Sequence, residues 1–278
     1  MNPVPFDVQH PDILSTIQRA LAEDIGSGDV TTEATIPAHL QAEGRFVARQ
    51  PMVVAGVELL EHLFEEREIL KRSGMDAAPG DALAIVRGPA RLLLTRERVS
   101  LNLLQRLSGI ATLARQYCDA VQGTGTKILD TRKTTPGLRV LEKMAAAAGG
   151  ALNHRMGLYD AVLIKNNHIT IAGSVTEAVR RARTHAGHLP IEVEVRNRAE
   201  IDQALAAGAT SLLLDNMTPA QAREEIAHIA GRASVELSGG ITLETVRAYA
   251  EAGPDFISAG AITHSATAVD INFRIAVL

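Results

Sequence analysis

The chain has no tryptophan, and aromatic residues fill only 3% of its 278 positions. Recognition of single-stranded nucleic acid by stacking bases on aromatic platforms is therefore not expected. There is one cysteine, Cys118, so no internal disulfide can form. In its helical setting, burial as a small hydrophobe is the expected role rather than catalysis. No apolar run approaches the roughly 18 residues that cross a bilayer. The opening, MNPVPFDVQHPDIL, has no charged stretch leading into an apolar core. A cytoplasmic protein with no membrane or nucleic-acid partner is the expectation. Low-complexity tracts are also missing, and nothing repeats beyond a strand–helix alternation.

What is present is enough chain for one large barrel or two domains, with 46% apolar residues. From about residue 127 onward, β-rich runs alternate with helical patterns. KILDT precedes a helix from Leu138 to Ala148, AVLIK one near Val175 to Ala186, and IEVEV one from Ala199 to Ala207. SLLLD is followed by a helix opening at Thr218-Pro219, SVELS by one after Thr242, and DFISAG closes the series. Six apolar strands separated by helices predict parallel pairing in an α/β sheet or barrel.

The first hundred residues read as a separate α+β region. It has a helix at Ile13 to Ala22, a turn at GSGDVTT, and β-like pieces at Gly44 to Ala48, Met52 to Ala55 and Ala82 to Val86. A long helical pattern from Thr95 to Val121, broken at Ser108-Gly109, leads into the alternating part. The boundary is expected near residue 109. The segment from Glu66 to Ala78, EREILKRSGMDAA, gives no clear pattern.

The densest chemistry runs from Leu129 to His168, which gathers Arg132, Lys133, Arg139, Lys143, His154, Arg155, Lys165 and His168. The whole chain carries a formal charge of −4, so this local excess points to a focused anion pocket. In a parallel barrel the reactive groups lie at strand C-termini. The strand ends here carry, in order, Arg132 and Lys133, Lys165, Glu194, Asp215, Ser238-Gly239-Gly240, and Gly260 with His264 just beyond.

Each has a plain reading beside the functional one. Glu192 and Glu194 alternate within IEVEV, so one is expected to point into the barrel and the other toward the helices or a loop. Glu194 is either catalytic or ligand-binding, or half of a structural ion pair. Asp215 is a helix cap, or a metal or ribose-hydroxyl ligand. The glycines after the last two strands present N–H groups to a phosphate, or merely supply positive φ. Lys165 is a solvated loop lysine or a Schiff-base nucleophile. His154 and His168 are flanked by cations, which disfavours zinc. Arg132, Arg155 and Lys165 suit a multiply charged carboxylate or phosphate.

In order and spacing, DTRKTTPGLRVLEKMAAAAGG, NHRMGLYDAVLIKNNHI, EVEV, LLLDN, SGGI and GAITHS closely resemble the quinolinate phosphoribosyltransferase family, as do EDIGSGDVTT and ERVSLNLLQRLSGIAT. The resemblance covers almost the whole chain. It implies an N-terminal open-sheet domain at 1–109, an incomplete six-stranded TIM-like α/β barrel at 110–267, and a tail at 268–278 returning to the first domain. The implied reaction moves 5-phosphoribosyl from phosphoribosyl pyrophosphate to quinolinate, with loss of CO2, in NAD biosynthesis.

By the same resemblance, Arg132, His154, Arg155 and Lys165 hold quinolinate, with Arg98 reaching in from the neighbouring subunit of a homodimer. Lys133, Glu194 and Asp215 face the phosphoribosyl donor and its Mg²⁺, with Glu194 and Asp215 on the metal. Ser238, Gly239, Gly240, Gly260 and His264 take the 5-phosphate. Three other readings compete: a Schiff-base aldolase using Lys165, a non-catalytic phosphometabolite-binding module, and a barrel relative of the kind associated with molybdate transport.

Overall fold

A computed structural model describes residues 7–278; residues 1–6, part of the opening read above, lie outside the described residues. In chain order the elements are α1 (Pro11–Ile25), α2 (Val30–Thr35), β1 (Gln41–Ala48), β2 (Met52–Val53), β3 (Glu66–Ile69), β4 (Asp76–Ala77), β5 (Ala82–Pro89) and α3 (Ala90–Ala120). There follow β6 (Lys127–Leu129), α4 (Arg139–Ala148), β7 (Val162–Ile164), α5 (Asn166–Ala172), α6 (Val175–Ala186), β8 (Ile191–Val195), α7 (Arg198–Ala206) and β9 (Ser211–Asp215). The last are α8 (Pro219–Ile229), β10 (Ser234–Ser238), α9 (Val246–Ala250), β11 (Phe256–Ser258), α10 (Ala261–His264) and β12 (Ile271–Val277). No described helix is long and apolar enough to cross a membrane.

The chain forms two compact units that no single cut in the sequence separates. One comprises the residues up to Arg115 with Thr134–Ala151 and Ile262–Leu278; the other comprises Gln116–Lys133 and Leu152–Ala261.

The first unit is built on an antiparallel sheet in the order β12-β1-β5-β3. Strand β1 is central, running from Ala42 opposite Val277 to Ala48 opposite Ile271 on one side and pairing with β5 on the other. Its Phe46 is fully buried and packs on Phe273, ring centroids 4.8 Å apart, and on Phe64 at 6.3 Å. The segment that gives no clear pattern in sequence holds β3 and β4. Strand β3 is an edge strand whose first three residues, Glu66 to Glu68, are exposed. An edge strand with charged side chains on both faces has no apolar alternation to betray it.

The long helix α3 is continuous through Ser108-Gly109, contrary to the break expected there. A helical glycine costs about 1 kcal/mol relative to alanine, but here it admits backbone. A Cβ on Gly109 would sit 2.1 Å from the Thr267 carbonyl oxygen. Ser108 is fully buried, and its Oγ accepts from Ala55 N at 3.0 Å and donates to Ala55 O at 3.2 Å. The pair is a packing device within an unbroken helix.

The second unit carries a parallel six-stranded sheet in the order β6-β11-β10-β9-β8-β7. All six strands expected from the alternation are present, and their neighbours run parallel. The order is linear, so β6 and β7 are its edges and the barrel is incomplete. The Thr218-Pro219 start of α8 is as expected: Thr218 caps it, in a capping box with Gln221. The helix after SVELS begins later than expected, at Val246, because Thr242 and Thr245 hydrogen-bond each other across a turn before it.

Candidate functional site

The C-terminal ends of the parallel strands surround a cavity of about 170 Å³. Every strand contributes through its end or the residues just past it. Strand β6 leads to Thr131, Arg132 and Lys133; β7 leads to Lys165; β8, β9 and β10 supply Glu194, Asp215 and Ser238; β11 supplies Ser258. His154 and Arg155 line it from the segment before β7.

That segment is held by Asp130, fully buried at the end of β6. One of its carboxylate oxygens accepts from His154 N at 2.8 Å, and the other from Asn153 Nδ2 at 2.6 Å. Asp160 then closes a tight turn by accepting from Met156 N (2.7 Å) and Gly157 N (2.9 Å). Burial pushes the Asp160 carboxyl up, but those two N–H groups outweigh it and hold its pKa below the usual range.

Arg155 is only 8% exposed. One terminal nitrogen donates to Ala161 O at 3.0 Å. Its Nε, like that of Arg132, is buried with no hydrogen-bond partner. Burial, reinforced by the Arg132 charge, pushes the Arg155 guanidinium pKa down. Two guanidiniums that repel each other and leave buried donors unpaired are costly together, and an anion would relieve both penalties.

The basic block does not act as one. Arg132, Lys133, His154, Arg155 and Lys165 line the cavity. Arg139 lines a different cavity with Arg19 and Thr134, and Lys143 is fully buried in α4; both belong to the other unit. His168 caps α5, its Nδ1 accepting from Lys165 N at 2.9 Å. The Lys165 side chain is exposed, which suits a point charge at the cavity mouth rather than a desolvated Schiff-base lysine.

The carboxylates correct one expectation. Glu192 and Glu194 face the same side of β8, because residues two apart in a strand share a face; Val193 and Val195, both fully buried, take the other. Glu194 Oε1 lies 3.5 Å from Asn166 N, and Glu192 reaches His154. Asp215 does not cap α8, since Thr218 does; its Oδ2 accepts from Asn216 Nδ2 at 2.8 Å.

Of the remaining expected residues, Gly239 and Gly240 have φ of +102° and +61°. With that positive φ, and with a Cβ on Gly239 falling 2.8 Å from Asn216 N, this turn requires glycine on backbone grounds alone. Gly260 follows β11. Arg98 on α3 and His264 at the end of α10 are both exposed and belong to the other unit.

Glu236 is the lining residue that the sequence reading passed over. It is 2% exposed, in the middle of SVELS. An acid between Val235 and Leu237 in an otherwise apolar strand, two residues before Ser238 and so on the same face, was the available signal. His154 Nε2 lies 3.2 Å from Glu192 Oε2 and 3.4 Å from Glu236 Oε2. These three are the one group of metal-ligand type among the described residues, with donor atoms within 4.8 Å of one another. The imidazole argues against a metal there. Arg155 N donates to its Nδ1 at 2.7 Å, which leaves the ring proton on Nε2, the atom a metal would need.

A model of the quinolinate phosphoribosyl transferase C-terminal domain matches residues 110–274, and one of the N-terminal domain matches residues 29–108. The chain is 40% identical over 275 residues to the probable nicotinate-nucleotide pyrophosphorylase [carboxylating] of Bacillus subtilis (strain 168), covering 96% of this chain and 95% of that one. It is 44% identical over 268 residues to the nicotinate-nucleotide pyrophosphorylase [carboxylating] of Mycobacterium leprae (strain TN), covering 92% and 94%. The crystal structure of NadC from Streptococcus pyogenes superposes with a TM-score of 0.91 at 37% identity, covering 100% of this chain and 99% of that one. The chain belongs to the quinolinate phosphoribosyltransferase family.

Proposed function

We infer that this protein transfers the 5-phosphoribosyl group from phosphoribosyl pyrophosphate to the ring nitrogen of quinolinate, releasing pyrophosphate and CO2 and giving nicotinate mononucleotide for NAD synthesis. The observation that carries the reading is the pair Arg132 and Arg155, each with a buried, unpartnered Nε, lining one cavity with Lys165. Such a set suits a planar dicarboxylate. A single carboxylate would leave buried cations unpaired. Arg132, Arg155 and Lys165 hold the two carboxylates, with His154 behind them fixing the Arg155 backbone. Ser238 and the turns at Gly239, Gly240 and Gly260 receive the 5-phosphate. Arg98, exposed on its helix, completes the site from the second subunit of a homodimer. The setting is the cytoplasm.

Glu194 and Asp215 end adjacent strands on the cavity and offer only hard oxygen donors. This fits Mg²⁺, which binds through one or two carboxylates together with substrate phosphates. When bound, magnesium supplies charge neutralisation on the departing pyrophosphate. Lys133 adds a cation for the same leaving group. As the anomeric C–O bond breaks, positive charge builds on the sugar, and Glu194 stabilises it. The ring nitrogen closes the new bond and becomes a pyridinium, which accepts the electron pair freed when the adjacent carboxylate leaves as CO2.

Two substitutions separate these roles. Glu194→Ala lowers turnover with little change in the KM for quinolinate, whereas Arg155→Ala mainly raises that KM. The reverse pattern overturns the assignment.

A further inference from the structure

Within the reaction just proposed, on which this inference rests, the loss of CO2 leaves an electron pair on a ring carbon that must be protonated. The cavity of a site built for a dianion is lined by cations and carboxylates, so the proton source is not obvious. Glu236 stands apart from the other acids. It is nearly fully buried, its Oε1 is buried without a partner, and its Oε2 lies 3.4 Å from the Nε2 of His154.

The tautomer of His154 decides what Glu236 can be. Nδ1 accepts the Arg155 N–H, so the single ring proton sits on Nε2 and faces two glutamates at once. One N–H serves two carboxylates poorly. Glu192 has a second donor in Ser211 Oγ at 3.2 Å, while Glu236 keeps an orphaned oxygen. A buried carboxylate beside another carboxylate, with one oxygen unsatisfied, is the less tolerable of the two. A proton on that orphaned oxygen removes the conflict.

Burial, and then the charge of Glu192, push the Glu236 pKa up against the hydrogen bonds from His154 and Ser258 that pull it down. The glutamates also raise His154 to about 9 against the effect of its own burial. An imidazolium would set an Nδ1–H against the Arg155 N–H. Both tendencies are met if the cluster's extra proton resides on Glu236.

We propose that Glu236 works as a neutral carboxylic acid and donates the proton that replaces CO2 on the ring. The ring C–C bond breaks and its electron pair stays on the ring carbon as CO2 departs. In the same step that pair forms the new C–H bond as the Glu236 O–H bond breaks, so CO2 release depends on the proton. The resulting carboxylate is held by the His154 Nε2–H and recovers its proton from water after product leaves. Neutrality beforehand also spares the incoming dicarboxylate a like-charge clash.

The test is Glu236→Gln, which keeps shape and a hydrogen-bond donor but carries no transferable proton. Pyrophosphate, CO2 and nucleotides are followed together in single turnovers. The unsubstituted protein releases pyrophosphate, CO2 and nicotinate mononucleotide in equal amounts; if it does not, the function reading itself fails. In Glu236→Gln, the expected result is CO2 release slowed by about 100-fold or more, pyrophosphate release slowed far less, an unchanged KM for quinolinate, and accumulation of the dicarboxylate mononucleotide in quenched samples. Equal slowing of pyrophosphate and CO2, or no slowing of either, overturns the role of Glu236 while leaving the function intact.

Discussion

The two compact units differ in the buried polar atoms they leave unpaired. In the unit built on the antiparallel sheet, Glu142 is fully buried and completely engaged: it accepts from Arg106 Nε at 3.1 Å and Nη2 at 2.9 Å, and from Thr135 N and Oγ1 at 3.0 and 2.7 Å. In the α/β unit, Arg132 Nε, Arg155 Nε, Asn166 Oδ1 and Glu236 Oε1 are buried without partners, and every such atom found among the described residues lies in that unit. Three of the four belong to residues that line the cavity. Folds rarely leave buried polar atoms unpaired. Where such atoms gather around one cavity, they mark groups kept for a ligand at a cost in stability.

This contrast yields a graded set of expectations. The largest effect belongs to the satisfied side. Glu142→Ala strips Arg106 and Thr135 of their shared acceptor and should cost about 3 kcal/mol of unfolding free energy, the lower end for a buried pair because Arg106 is partly exposed. Denaturant melts read it, and a cost under about 1 kcal/mol would put the network among the surface pairs.

Next comes the pH response of the His154, Glu192 and Glu236 cluster. His154 is raised from 6.5 to about 9, and Glu236 is also raised. The folded state therefore binds the cluster's proton more tightly than the unfolded chain does. That stability is fully present below pH 6.5 and is lost as pH rises through about 9. The melting temperature should fall over this window, and Glu236→Gln should flatten the fall. Identical slopes in the two proteins would remove the cluster from the explanation.

A smaller effect of opposite sign is expected at the cavity. Arg132→Met removes an unpaired buried donor and its repulsion on Arg155, and should stabilise the ligand-free protein by about 1–3 kcal/mol while weakening quinolinate. A destabilised variant would mean that Arg132 is structural. The smallest effect belongs to the other unit. Asp29 caps α2 by accepting from Thr32 N at 3.0 Å, and Asp29→Ala should lower the melting temperature slightly with no change in quinolinate affinity. A change in affinity would show that the two units share energetics that the cap does not explain.

The same contrast explains what the sequence reveals. The parallel strands were legible because burial on both faces makes SLLLD and SVELS continuous apolar runs, and because α8 opens on Thr218-Pro219. The cations at the strand ends were legible because β6 and β7 place them in short sequence range of one another. Glu236 was harder to find, since its strand looks like core, and its meaning arises only when β10, β8 and the His154 segment meet. The one-sided placement of Glu192 and Glu194 follows from strand geometry and was recoverable from IEVEV. Arg139 and Lys143 show the opposite error: they are neighbours in sequence of the cavity's cations but sit in the other unit, and no local pattern reports where a chain leaves one core for another. The uninterrupted helix through Ser108-Gly109 was hidden for a related reason, because its cause is the distant Thr267 backbone.

The cavity's two guanidiniums, each with an unpartnered Nε, await a dicarboxylate. The most direct measurement incubates the purified protein with phosphoribosyl pyrophosphate, Mg²⁺ and either quinolinate or nicotinate, following CO2 and mononucleotide together. The prediction is equimolar CO2 and nicotinate mononucleotide from quinolinate, and no product from nicotinate. Product from nicotinate alone, or from neither compound, would contradict it.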